Sequence, residues 1–113
     1  MTQRILVVDD DENTREALSN LLRAVGYEVD TSEDGPRALE CLEAKRYDVL
    51  VTDQVMGEMT GLELIERSRE RRADQRCIVI SGLAAPPAAE SARVPWLRKP
   101  LDVDLLLDAL ERT

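Results

Sequence analysis

The chain has 113 residues, 15 basic against 23 acidic, for a formal charge of −8; at ~100–200 residues per domain this holds one domain. Histidine is absent, which excludes Ser-His-Asp triads, histidine-ligated zinc and any phosphohistidine formed on this chain. The negative charge opposes direct nucleic-acid binding, and without a signal peptide or long apolar run the expected location is the cytoplasm, with no membrane partner.

In chain order, Ile5-Leu6-Val7-Val8 predicts a strand of β-branched and apolar residues. Leu18, Leu21, Leu22 and Val25 follow at i, i+3, i+4, i+7 and predict an amphipathic helix that Gly26 stops. Tyr27-Glu28-Val29-Asp30-Thr31 alternates, as an edge strand does. Asp34-Gly35-Pro36 opens a second helix with Ala38, Leu39 and Leu42 inward. Asp48 to Asp53 reads as a third strand, and Gly61 precedes a helix carrying Leu62 and Ile65. Glu66 to Arg76 is charge-rich and is expected to be a solvated helix face and turn.

Cys77-Ile78-Val79-Ile80-Ser81 predicts the fourth strand. The stretch to Val94 allows only a short, weakly packed and mobile helix beginning near Pro86-Pro87. Val94-Pro95-Trp96-Leu97 predicts a short edge strand. Asp102 can cap a last helix with Val103, Leu106, Leu107 and Leu110 inward, and Leu105 and Ala109 off that stripe as a possible contact surface. Cys41 and Cys77 are too few for a disulfide framework and are expected in the core. Continuous apolar runs need cover on both faces, so the strand and helix order argues a doubly wound α/β fold with a parallel sheet.

In such a sheet, ligands bind beyond the carboxyl ends of the strands. Those ends carry Asp9-Asp10-Asp11, Asp53, Ser81 and Lys99-Pro100. Carboxylates crowded at ~4 Å repel by ~1–4 kcal/mol, and a cation relieves this. Oxygen-only ligands favour Mg²⁺ over zinc. A carboxylate facing Mg²⁺ and a lysine is a competent nucleophile toward a phosphoryl group.

The pieces Ile5 to Asp11, Asp34-Gly35-x-x-Ala38-Leu39, Tyr47-Asp48 leading to Asp53, Met56, Gly61-Leu62, Val79-Ile80-Ser81 and Leu97-x-Lys99-Pro100 occur in one order along essentially the whole chain. In this the sequence resembles the receiver domain of bacterial two-component response regulators. The resemblance implies a flavodoxin-like five-stranded parallel sheet of order 2-1-3-4-5, here with a shortened fourth helix. It implies Asp53 as phosphoacceptor, and Asp9, Asp10, Asp53 and the Val55 carbonyl as Mg²⁺ ligands. Ser81 and Lys99 would contact the phosphoryl group, Trp96 would be the switch aromatic, and the Lys99-Pro100 bond would be cis.

The implied function is Mg²⁺-dependent acceptance of a phosphoryl group from a partner phosphohistidine, switching a surface read by a downstream protein target. The implied partners are a sensor histidine kinase or phosphotransfer protein, with a small-molecule phosphodonor possible. The chain would act as a signalling phosphoacceptor rather than an enzyme, as one domain over 1–113 with no output domain. Met56-Gly57 departs from the family's usual Met-Pro, and Gly82 stands where alanine is common. With the short fourth helix, these differences motivate an alternative, a receiver-like scaffold that is not phosphorylated. A further alternative takes Asp9-x-Asp11 as the nucleophile motif of haloacid-dehalogenase-type phosphatases, in which Asp9 rather than Asp53 would be phosphorylated.

Overall fold

The computed structural model describes residues 2–112; Met1 and Thr113, the ends of the expected domain, lie outside the described residues. Five strands, β1 (Arg4–Val8), β2 (Glu28–Ser32), β3 (Val49–Thr52), β4 (Arg76–Ser81) and β5 (Trp96–Arg98), alternate with five helices, α1 (Glu12–Val25), α2 (Gly35–Ala44), α3 (Gly61–Arg71), α4 (Pro87–Ser91) and α5 (Val103–Arg112). The sheet is parallel throughout, in the order β2-β1-β3-β4-β5. The doubly wound topology expected from the sequence is the one observed.

The period-two alternation of the strands sorts their side chains into two layers. Leu6, Val8, Leu50, Cys77 and Val79 point to one side, where they pack with Ala38 of α2 and with Leu64 and Ile65 of α3. Ile5, Val7, Val49, Val51, Ile78 and Ile80 point to the other, against Leu18 and Leu22 of α1 and Leu106 and Leu110 of α5. Strands apolar on both faces are thus covered on both faces. Cys77 is a core residue as expected, whereas Cys41 is only half-buried at the edge of its cluster.

Element ends depart from the sequence expectations for local reasons. Tyr27 belongs to the stop of α1 instead of to β2: Gly26 adopts φ +116°, and the Tyr27 amide donates to the Leu22 carbonyl at 3.1 Å. At β5 the ladder starts only after Pro95, which has no N–H, although its carbonyl accepts from the Val79 amide at 2.9 Å. Val25 is 50% exposed and Val103 is 37% exposed, because each stands at the rim of its helix's apolar stripe. Ala109 packs partly against the core, so of the two surface candidates on α5 only Leu105 is exposed. α4 is a five-residue turn, as short as expected, yet Ala89 on it and Val94 after it are buried.

The charge-rich stretch before β4 is less solvated than expected. Ser68 and Gln75 are buried, and the Gln75 amide and the Arg72 guanidinium both donate to the Tyr47 carbonyl, at 3.2 and 2.6 Å. Polar side chains here satisfy backbone at the amino end of the sheet. Among the described residues, no helix is long and apolar enough to cross a membrane.

Two predictions follow from this packing. A Cβ added at Gly61, the first residue of α3, would press into the Asp53 carbonyl oxygen and lie 3.1 Å from the Thr52 methyl. Gly61→Ala is expected to cost about 1–3 kcal/mol in urea unfolding, because the rigid neighbour is backbone. Second, the buried Tyr47 hydroxyl donates to Asp30 at 2.6 Å. That bond holds the Asp30 carboxyl below its ordinary range, against a smaller opposing effect of burial. A depressed carboxyl stabilises the fold above its unfolded value and loses that contribution as pH falls through the folded one. Tyr47→Phe should therefore lower stability by about 1 kcal/mol near neutral pH, Asp30 being partly screened by water. The two proteins should converge in urea midpoint well below pH 3.8.

Candidate functional site

Three hydrogen bonds continue the sheet one residue past its strands. The Asp9 amide donates to the Ser32 carbonyl (3.2 Å), the Asp53 amide to Val8 (3.0 Å) and the Lys99 amide to Ser81 (2.9 Å). Each residue sits at the carboxyl end of its strand and is fixed by the neighbouring one. The peptide between Lys99 and Pro100 is cis, as the resemblance implied.

The side chains converge there. Lys99 Nζ lies 3.2 Å from Asp53 Oδ2 and 3.5 Å from Asp9 Oδ2. Asp9 and Asp53 are nearly enclosed, with side chains 6% and 12% exposed, while Lys99 is 32% exposed. Burial raises the Asp9 carboxyl above its ordinary value, with the charge of Asp53 adding to it; the Asp11 amide and the Lys99 ammonium only partly oppose this. Burial alone would lower Lys99, but the two carboxylates outweigh it and raise the ammonium.

Asp10 completes the acidic group. One carboxylate oxygen from each of Asp9, Asp10 and Asp53 lies within 4.8 Å of the other two, a spacing that could hold a metal ion. The set is all oxygen and anionic, one member is exposed and the other two are largely enclosed. Such donors suit a hard divalent cation that keeps some of its water, as Mg²⁺ does. The Val55 carbonyl lies in the adjoining loop; Val55 is exposed, and among the described residues no hydrogen bond is made to that carbonyl.

Asp11 does not join the group. It is the N-cap of α1, and its carboxylate accepts from the Thr14 amide (3.2 Å) and from the Thr14 hydroxyl. The Thr14 hydroxyl, then its amide, holds Asp11 below the ordinary carboxylate range. A charged cap facing the helix amides is not free to act with Asp9, which disfavours the dehalogenase-type alternative.

Ser81 is buried at the end of β4, with its hydroxyl turned back onto its own loop to accept from the Leu83 amide at 3.1 Å. Among the described residues its hydroxyl hydrogen-bonds neither the Asp53 carboxylate nor the Lys99 ammonium. Trp96 is half-buried against the α2–α3 side of the core, and its indole N–H donates to the Leu83 carbonyl at 2.8 Å. Ser81 and Trp96 therefore both hold Leu83, one through each backbone group.

The sequence reading missed the residues that position Asp53. Gln54 donates its amide to Asp53 Oδ1 (2.6 Å) and accepts from the Leu62 amide through its side chain (3.0 Å). Its backbone carbonyl accepts from Gly61 (2.9 Å), and Thr52 Oγ1 donates to the Asp53 carbonyl (2.9 Å). A polar residue after the aspartate and a glycine at the helix start were the only available signals. Gly57 adopts φ +81°, which a proline ring locked near −65° cannot take, so the loop carrying Val55 follows a path specific to glycine.

Comparison with known proteins agrees with this geometry. The family profile described as the response regulator receiver domain matches residues 5–111. The chain is 36% identical over 112 residues to the DNA-binding transcriptional regulator NtrC of Azospirillum brasilense, covering 96% of this chain but 23% of that protein. It is 34% identical over 114 residues to the response regulator receiver protein CpdR of Brucella abortus, covering 97% of this chain and 95% of CpdR. Among solved structures it is similar to the response regulator TrrA of Thermotoga maritima in complex with Mg²⁺-BeF, with a TM-score of 0.90, 31% identity and 98% of each chain covered. With the strand order, the three clustered carboxylates and the lysine already in place, the profile match along nearly the whole sequence means that the chain belongs to the receiver domain family of two-component response regulators.

Proposed function

We propose that the chain accepts a phosphoryl group at Asp53 from the phosphohistidine of a sensor kinase or phosphotransfer protein, and passes the signal on by protein contact. One observation carries this reading: Asp53, nearly enclosed, faces the Lys99 ammonium at 3.2 Å and shares its rim with the carboxylates of Asp9 and Asp10. An Asp53 oxygen attacks phosphorus, the P–N bond to the donor imidazole breaks, and the imidazole keeps the electron pair. Lys99 offsets the charge of the incoming phosphoryl oxygens. Asp9, Asp10, Asp53 and the Val55 carbonyl are the residues that would hold Mg²⁺, which when bound supplies charge stabilisation to those oxygens. The chain takes up one phosphoryl group per signalling event and is a phosphoacceptor rather than a catalyst acting on a substrate.

Incubation with Mg²⁺ and a phosphodonor, followed by intact mass analysis, should add one phosphoryl group. Asp53→Asn should abolish the adduct and Lys99→Ala should reduce it strongly. Absence of any adduct with phosphohistidine and small donors alike would leave the non-phosphorylated scaffold as the reading.

Metal binding has its own signature. Mg²⁺ should raise the thermal midpoint, and Asp10→Asn should remove most of that increase. Asp9→Asn should stabilise the metal-free protein by up to about 1 kcal/mol, since it removes a buried charge that repels Asp53, and should abolish the response to Mg²⁺. The sign follows from the raised Asp9 carboxyl: the metal-free fold is favoured when Asp9 is neutral and loses that contribution as pH rises from 3.8 through the folded value.

The switch we infer runs through Leu83. The Ser81 hydroxyl, which would contact a phosphoryl group on Asp53, accepts from the Leu83 amide, and that loop is tied to the Trp96 indole, so a shift of Ser81 would be felt at Trp96. Trp96 is the sole tryptophan, so its emission should change when beryllofluoride binds with Mg²⁺, and should not change in Asp53→Asn. An unchanged spectrum with binding verified would assign Trp96 to packing alone.

A further inference from the structure

α3 presents a stripe that α4 is too short to cover. Leu62, Ile65, Glu66, Arg69 and Glu70 fall at i, i+3, i+4, i+7 and i+8, the spacing of a helix face that packs against a neighbour. That neighbour is α4, five residues long, and it meets the stripe only with Ala88 and with Ala92 at its C-cap. Between the two lies an open groove of about 380 Å³. Its floor is apolar: Ile65 is buried, and Leu62 is half-buried against the core beneath. Its alanine wall is exposed. None of these residues belongs to the acidic site.

The charges along the groove are unequally engaged. Arg69 is spent on backbone: its guanidinium donates to the Gln75 carbonyl at 3.1 Å and to the Ala92 carbonyl at 2.5 Å, which ties the end of α4 to α3. Glu66 and Glu70 are exposed one turn apart, and among the described residues neither has a hydrogen bond or an ion pair. Like charges at i and i+4 repel each other, and a cation brought to both relieves this.

An apolar floor with two unpaired carboxylates on its rim fits a partner that carries an apolar side chain beside cations. A helix meets both demands at once. Lysine or arginine at i and i+4 repeats the roughly 5–6 Å spacing of the two glutamates, and a wall of alanine lets a partner backbone come close. We propose that the α3–α4 groove docks a basic amphipathic helix of a partner protein, with one apolar side chain set against Leu62 and Ala88 and two cations paired with Glu66 and Glu70. This does not rest on phosphorylation of Asp53.

The test uses the full chain, without a phosphodonor, and a synthetic alanine-based helical peptide with lysines at i and i+4 and a leucine at i+3. The peptide should shift the methyl resonances of Leu62 and Ile65 and leave those of Val25 and Leu105, exposed on other helices, in place. Glu66→Gln with Glu70→Gln removes two exposed ion pairs and should weaken binding about fivefold. Salt at about 1 M should weaken the unmodified protein to a similar degree. Serine in place of the peptide's leucine should cost about tenfold. Ala88→Leu, at an exposed position, fills the groove and should weaken binding by about as much. Both protein variants should keep the rise in thermal midpoint with Mg²⁺, which separates the groove from the acidic site.

Shifts confined to other residues, undiminished affinity of the doubly neutralised protein, or equal binding of a peptide with glutamates for lysines would overturn the proposal. So would no binding at about 1 mM peptide. A dimer of the chain that perturbs the Leu62 and Ile65 methyls would overturn it too, by making a second copy the occupant.

Discussion

Two carboxylates and an ammonium, brought together at one end of a parallel sheet, set the terms for the rest of this molecule. Asp9 and Asp53 are nearly enclosed, and Lys99 reaches both, at 3.5 and 3.2 Å. One positive charge between two negative ones leaves the group net anionic, and Asp10 adds to it from the exposed side. The raised Asp9 carboxyl registers the cost: burial and like charge outweigh the lysine and the Asp11 amide. A site held in this condition gains from a further cation, and after that from an anion that the cation and the lysine can share. Its capacity to take up a cation and its residual strain have the same electrostatic origin.

Holding such a group requires stiff backbone rather than strong pairing. The sheet supplies it by running each ladder one residue further, so that Asp9, Asp53 and Lys99 are all pinned through their amides. The β3–α3 connection supplies the rest. Gln54 grips Asp53 on one side and the start of α3 on the other, while Gly61 lets that helix come against the Asp53 carbonyl. Met56 and Met59 bury their side chains on either side of the exposed Gly57-Glu58 tip. The loop is therefore anchored at both ends and turns at Gly57-Glu58, with φ +81° at Gly57.

The opposite edge of the site is built more loosely. α4 has five residues and no side-chain cap at its start, and the segment before it is held at Leu83 by the Ser81 hydroxyl and the Trp96 indole. Few contacts and exposed backbone are the features of segments that rearrange at low cost. The β3–α3 loop is anchored at both ends, whereas the segment leading into α4 is tied at Leu83 by Ser81 and Trp96 and at Gly82 by Arg98.

Much of this was legible in the sequence, for a definite reason. Apolar runs such as Ile5-Leu6-Val7-Val8 and Cys77-Ile78-Val79-Ile80 must be covered on both faces, and a helix period between each pair of strands leaves little choice but a doubly wound sheet. Strand ends then name Asp9, Asp53, Ser81 and Lys99 without further information. Periodicity overreached at Tyr27, which the stop of α1 takes from β2, and at stripe rims such as Val25 and Val103, where a helix faces the sheet with fewer positions than its apolar spacing offers. Tertiary structure alone decided what depends on atoms distant in sequence. That Lys99 lies within hydrogen-bond reach of Asp9, 90 residues away, follows from how β1, β3, β4 and β5 are ordered and registered. The same holds for Asp11 becoming a helix cap, Gln54 a clamp and Ser81 a ligand of its own loop. Side-chain direction and close approach are set by packing between elements, and no local pattern encodes them.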